Sequence, residues 1–334
     1  MVSIYKRSCR IYALFLVLVF TMFPLAANKC EMWYEDNNLG KKAYFPPDAR
    51  EKFIKPDTWE RSRKKMDNYM IRINVFSKRS NKLDKYFMKY KMFKLLKRDG
   101  VHLTLDVLGG TLTHANIRKE ETKERELRMI SKIESMGMPI DSIVFQSALS
   151  KSIKIIRRRR SVFKDEYPMD QRIVDICDYA EKVHKKFPNI RFGIIDALPT
   201  KGLPYKQPYL SLKKSMSERG LRLDFIILDM SHHVLDEGWR GMDWNKLKEI
   251  DNYIHDELHV KFGKTFDDRI AGKRSDKDYY LSVARMANEF KTRGIQSDIC
   301  AFMSWFPHPR YTIPETKQYT MTYDFLKLSD ILTR

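Results

Sequence analysis

The feature that most limits this chain is a regular alternation of apolar runs and longer amphipathic stretches from residue 31 to its end. The runs are Met32–Tyr34, Ile71–Phe76, His102–Leu108, Ser142–Gln146, Phe192–Asp196, Asp224–Asp229, Val260–Gly263 and Asp298–Trp305. Their length and β-branched content predict buried strands. The stretches between them repeat apolar residues at helical spacing, as in Asp170–Phe187 with Ile173, Ile176, Cys177, Ala180 and Val183. Further helices are expected over Lys82–Lys97, Glu120–Met136, Tyr209–Arg219, Trp244–Leu258, Asp276–Arg293 and Thr320–Leu332, with a loop over 263–276. Helix stops precede several strands: Asp99-Gly100, Pro188-Asn189, Arg219-Gly220 and Arg293-Gly294. About eight strand–helix units in about 300 residues predict an α/β fold of the (β/α)8 TIM-barrel type in a single domain. An open doubly wound sheet would need a glycine-rich phosphate loop. Gly109-Gly110 does not make one, and no phosphate-loop lysine motif occurs.

The N-terminus reads separately. Lys6, Arg7 and Arg10 precede an apolar stretch from Ile11 to Phe23, and Pro24-Leu25-Ala26-Ala27 follows. That is the pattern of a secretory signal peptide over 1–27, with cleavage expected after Ala27 and a barrel domain over 28–334. The stretch is short for a spanning helix, so membrane contact is expected only if this segment stays uncleaved. A secreted or periplasmic protein follows. Loss of Cys9 leaves Cys30, Cys177 and Cys300, an odd number. Cys177 and Cys300 read as core residues, so no essential disulfide is expected.

The formal net charge is +20. Arg157-Arg158-Arg159-Arg160 lies in a basic stretch from Lys151 to Lys164, after the fourth strand. On a barrel this is a loop at the mouth, and it suits an anionic partner. A solvated loop or a protease-processing site is the alternative. Nucleic acid is not expected, because the chain is exported and lacks a binding motif.

In a barrel, chemistry gathers where strands end. Asp196 and Asp229 close the fifth and sixth strands. As neighbours they suit a two-carboxylate hydrolytic pair, one ionised and one holding a proton; the alternative is that each caps a loop or pairs with arginine. Trp33, Tyr34, Glu35, Asp106, Gln146, His232, Trp239 and Trp305 fall at or near other strand ends and are expected to bind substrate. Tryptophan faces stack on sugar rings, although tryptophan is equally at home in a core. His232-His233 beside Asp229 suggests a metal, but adjacent residues on an extended segment point opposite ways. No metal and no cofactor are expected. No G-x-S-x-G motif supports a serine hydrolase.

With Pro56–Trp59, Ile176–Pro199, Leu223–Asp229 and Ala301–Trp305 in place, the chain resembles secreted bacterial TIM-barrel proteins related to glycoside hydrolases. The resemblance implies a barrel acting on polysaccharide; taken with the basic loop, the expected partner is a polysaccharide or acidic glycan. In retaining members, glutamates ending the fourth and seventh strands are acid/base and nucleophile. Here the fourth strand ends in Phe145-Gln146-Ser147, and the seventh offers Gly263 and Lys264 with Asp267 further on. Thr265-Phe266-Asp267-Asp268 resembles the first motif of polysaccharide deacetylases, but Arg269 stands where that family has glycine. The expected function is an exported glycoside hydrolase-like protein acting on polysaccharide, as a monomer. The alternative is a non-catalytic carbohydrate- or surface-binding barrel.

Overall fold

The computed structural model describes residues 30–36, 46–76, 83–107, 120–147, 149–150 and 168–333. The signal segment 1–27, Gly109-Gly110 and the arginine run 157–160 lie outside the described residues.

Eight parallel strands close on themselves in chain order: β1 (Glu31–Glu35), β2 (Asn68–Arg72), β3 (His102–Val107), β4 (Ile140–Gln146), β5 (Arg191–Asp196), β6 (Phe225–Leu228), β7 (Lys261–Phe266) and β8 (Ile299–Phe302). The helices are α1 (Glu51–Ile54) and α2 (Glu60–Lys65) after β1, α3 (Leu83–Lys89) and α4 (Met92–Arg98) after β2, α5 (Glu120–Ser135) after β3, and α6 (Met169–Lys186) after β4. Then come α7 (Lys206–Ser217) after β5, α8 (His232–Asp236) and α9 (Trp244–Asn252) after β6, α10 (Asp276–Thr292) after β7, and α11 (Met321–Leu332) at the end. This is the expected (β/α)8 barrel.

Two cores follow from the alternation of side chains along each strand. One faces the helices and includes Tyr34, Ile71, Leu105, Phe145, Ile194, Leu228, Phe266 and Phe302. The other fills the barrel with Trp33, Met70, Val144, Ile195, Phe225, Ile227, Ile299, Ala301 and Met303. The interior is crowded: a Cβ on Gly193 would lie 2.1 Å from the Phe225 ring. Glycine on β5 therefore makes room for Phe225, whose ring meets Trp33 edge-on at 5.1 Å. A polar layer lies among these residues. Thr104 Oγ1 donates to Asn68 Oδ1 at 2.7 Å and sits 2.6 Å from Ser142 Oγ.

Local signals fix the helix ends. Ser275 and Thr320 accept the backbone N–H of Asp278 and Tyr323 as N-caps of α10 and α11. Gly220 (φ 71°) and Gly294 (φ 60°) turn the chain out of α7 and α10 in the left-handed region that glycine enters at no steric cost. Three expected boundaries move. The second strand begins at Asn68, and Ile73–Phe76 forms a 3-10 turn. The helix expected over 82–97 breaks at Lys91, whose φ is 51°. The expected loop over 263–276 is overturned at its start, because β7 runs on to Phe266.

The absence of a disulfide is also overturned: Cys30 and Cys300 are bonded, with Cα atoms 6.0 Å apart and 270 residues between them in sequence. Glu31 pairs with Ile299 in the β1–β8 ladder, so closing the barrel brings the two cysteines together. Cys177 is free and buried, and burial raises its thiol pKa to about 11.

Candidate functional site

The C-terminal ends of the strands carry the polar groups of the barrel mouth. On β1 to β3 these are Glu35, Arg72 and Asp106, each in line with the interior residues below it. Arg72 Nε lies 3.2 Å from Glu35 Oε1 and 3.4 Å from Asp106 Oδ2. Burial works against the guanidinium charge, but the two carboxylates outweigh it and raise the Arg72 pKa. The Trp305 indole N–H reaches Glu35 Oε2 at 3.4 Å, and the ring packs on the interior core while half-exposed. Gln146 closes β4 and is 8% exposed. Glu35, Asp106, Gln146 and Trp305, expected at the mouth, all stand there; Arg72 joins them as a residue the sequence reading passed over.

On the opposite side, β6 and β7 bring up Asp229 and Asp267. Phe225 and Ile227 point inward on β6, so Asp229 continues the inward row. On β7 a Cβ at Gly263 would meet interior Ile227 and Ile299, so Thr265 and Asp267 continue that one. Asp229 is half-exposed, whereas Asp267 is 1% exposed. Burial, and then the Asp229 charge, pushes the Asp267 carboxyl well above the usual carboxylate range. Its Oδ1 finds no hydrogen-bond partner among the described residues. Lys264 is fully buried beside the pair, its Nζ donating to Met230 O at 2.7 Å and Thr265 O at 2.6 Å. Burial lowers its pKa to about 8 against the pull of Asp267, Asp229 and Asp268. Asp268 accepts the backbone N–H of Ile270 and Ala271 and the hydroxyl of Ser282. Burial raises its pKa, but these bonds and His233 outweigh it and hold the carboxyl below the usual range.

Other expected residues stand elsewhere. Asp196 is corrected. It follows Ile195, which points inward, so its own side chain turns out toward the helices. It is 0% exposed. Its Oδ1 accepts the N–H of Ala197 and Leu198 at 2.7 and 3.0 Å. Its Oδ2 accepts those of Leu149 and Ser150 at 2.6 and 3.1 Å. Burial raises its pKa against the pull of these four donors, which tie the turns after β4 and β5 together. Asp196 therefore has no free edge for substrate, and no catalytic pair with Asp229 forms.

Trp33 is likewise corrected: it is 0% exposed in the middle of the barrel, its indole N–H on Glu31. Tyr34 faces the helices and donates its hydroxyl to Asp36. His232 is 3% exposed, with Nδ1 3.2 Å from Ser282 Oγ and its ring edge-on to Trp244; burial lowers its pKa. None of the three reaches the mouth. Trp239 is 51% exposed on a 3-10 turn after β6, the Arg240 guanidinium 5.6 Å from its ring. No group of three or more His, Cys, Asp or Glu among the described residues is placed to hold a metal. No helix among them is long and apolar enough to cross a membrane.

No protein-family model matches this chain, and no curated protein matches it. Solved structures do. A psychrophilic glycoside hydrolase family 10 endo-β-1,4-xylanase is 15% identical, with 83% of this chain and 86% of that one covered and a TM-score of 0.50. N2152 from Neocallimastix frontalis is 13% identical, with 91% and 68% covered and a TM-score of 0.51. A mutant of P fluorescens subsp. cellulosa xylanase A in complex with xylopentaose is 10% identical, with 84% and 88% covered and a TM-score of 0.50. These proteins share the barrel fold with this chain.

Proposed function

We propose that this protein is an exported, glycoside hydrolase-like barrel acting on a polysaccharide, with Asp229 and Asp267 as its carboxylate pair. The observation that carries the reading is the placement of these two groups on one side of the mouth. One is accessible; the other is buried, its carboxyl held well above the usual range, with no hydrogen-bond partner for Oδ1 among the described residues. Hydrolysis of a glycosidic bond needs an acid for the leaving oxygen and a second carboxylate to attack or to activate water. Asp267 supplies the proton and Asp229 the second role. Glu35, Arg72 and Asp106 offer hydrogen bonds to sugar hydroxyls, and Trp305 and Trp239 offer apolar ring faces. The Cys30–Cys300 bond supports export, since such bonds persist in oxidising compartments.

A second reading, a barrel that binds carbohydrate without cleaving it, is favoured by Gln146 at the end of β4 and by the burial of Asp267. One experiment separates the two: release of reducing ends from xylan, galactan and polygalacturonate by the wild type, Asp229→Asn and Asp267→Asn. The catalytic reading expects turnover of one polymer, lowered at least about a hundredfold in each variant with thermal melting unchanged. Binding of a polymer without release of reducing ends would establish the second reading.

A further inference from the structure

Outside the barrel mouth, α10 and α11 border an open groove of about 350 Å³ lined by Tyr280, Asn288, Lys291, Lys327, Asp330 and Ile331. That is the small end of the range that takes small-molecule ligands, about 300–1,000 Å³. Tyr280, Asn288 and Lys291 recur at helical spacing along α10, and Lys327, Asp330 and Ile331 along α11, so the groove follows both helices. At its upper end three half-exposed rings meet. Tyr280 lies 5.6 Å from Tyr319 and 5.8 Å from Tyr323, and Tyr319 lies 6.4 Å from Tyr323.

The charges here are unbalanced. Lys291 and Lys327 line the groove from facing helices, and neither has an ion pair among the described residues. Asp330, the one acid of the lining among the described residues, pairs instead with Lys65 at 3.7 Å. The Lys327 ammonium lies 5.5 Å from the Tyr323 ring centroid, bringing cation and aromatic platform together.

We propose that this groove is a binding site for a carboxylate-bearing saccharide, a stretch of uronic-acid polymer, separate from the barrel mouth. A tyrosine face accepts the apolar side of a pyranose ring. Asn288 hydrogen-bonds hydroxyls, and the Lys291 and Lys327 ammonium groups receive carboxylates. The site holds substrate or an anchoring polymer and does no chemistry, so it stands whether or not the mouth hydrolyses.

The test is affinity electrophoresis of the full mature chain through gels containing polygalacturonate or neutral dextran, at about 0.15 M salt to screen diffuse attraction. The variants are Lys291→Gln/Lys327→Gln, Tyr280→Ala and, as a charge-matched control on α6, Lys185→Gln/Lys186→Gln. Thermal melts establish that each is folded. The expected result is retardation by polygalacturonate only. It weakens about tenfold in the groove lysine variant and several-fold in Tyr280→Ala, and is unchanged in the control. Equal loss in the control would mean the net positive charge alone does the binding, and would overturn the proposal. So would an unaffected Tyr280→Ala, equal retardation by dextran, or no retardation at all.

Discussion

Replacing Asp196 by Asn tests whether this carboxylate is a scaffold or a reagent. Its two oxygens accept four backbone N–H groups, from Leu149, Ser150, Ala197 and Leu198. Asparagine keeps one acceptor oxygen and turns an NH2 toward the other two donors. Two hydrogen bonds to a charged group are lost, each contributing about 1.5–3 kcal/mol, and two buried donors are stranded. The expected destabilisation is about 3–6 kcal/mol, a large share of a typical stability of about 5–15 kcal/mol. For a chain of this size that lowers the melting temperature by roughly 4–9 °C. Urea and thermal melts followed by circular dichroism measure it, beside polysaccharide turnover per folded molecule. A variant that melts with the wild type and has lost turnover would refute the reasoning and return Asp196 to the catalytic centre.

Further outcomes follow from other buried groups. Asp324 on α11 is 0% exposed, with neither oxygen partnered among the described residues, and burial holds its pKa well above the usual value. The folded chain keeps a proton that the unfolded chain releases, so this group removes about 1.4 kcal/mol per pH unit as pH rises from the ordinary carboxylate pKa toward the folded one. Asp324→Asn should raise the melting temperature by an amount that grows between pH 4 and 7; a pH-independent change would contradict this. His255 sits between Asp251 and Asp298 at 2.6 and 2.5 Å, and their hydrogen bonds raise its pKa to about 10. Its stabilisation is complete below about pH 6.5 and is lost as pH rises through about 10. His255→Gln should therefore lower the urea midpoint at pH 6 and approach the wild type by pH 10; a constant gap would exclude the ion pairs as the cause. Thiol titration of a chain spanning residues 28–334, denatured and unreduced, should find one reactive group, Cys177; three would mean the β1–β8 seam is unbonded.

The order and number of strand–helix units were legible because each strand is apolar and each helix is periodic. The facing of the strand-end aspartates was not. Phe192–Asp196 and Phe225–Asp229 both read as apolar runs ending in Asp, and strands buried on both faces show no alternation to reveal which residues point inward. One residue of phase turns Asp196 out to the helices and Asp229 in to the mouth. Asp267 escaped for another reason. β7 reads Lys-Phe-Gly-Lys-Thr-Phe, and its two lysines and glycine weaken the strand signal until the run seems to stop at Gly263. In the fold Gly263 yields space to Ile227, while Lys264 buries its ammonium against two carbonyls. Trp33 was misplaced by the mouth-side reading of a strand whose tryptophan lies two residues below its end. Arg72 lay inside a run whose true strand starts three residues earlier. No local pattern joins Cys30 to Cys300, because only closure of the barrel does so.

That bond changes what a cut in the chain means. From Cys30 to Cys300 the polypeptide is a covalent ring, with the last helix hanging from it as a tail. A protease acting once anywhere on the ring, the Arg157–Arg160 run included, opens it into a line and releases nothing. The halves would migrate as one species until reduced, and then as two. A barrel nicked in a loop would thus keep all eight staves in one covalent molecule, so that a cut in surroundings rich in proteases does not part them.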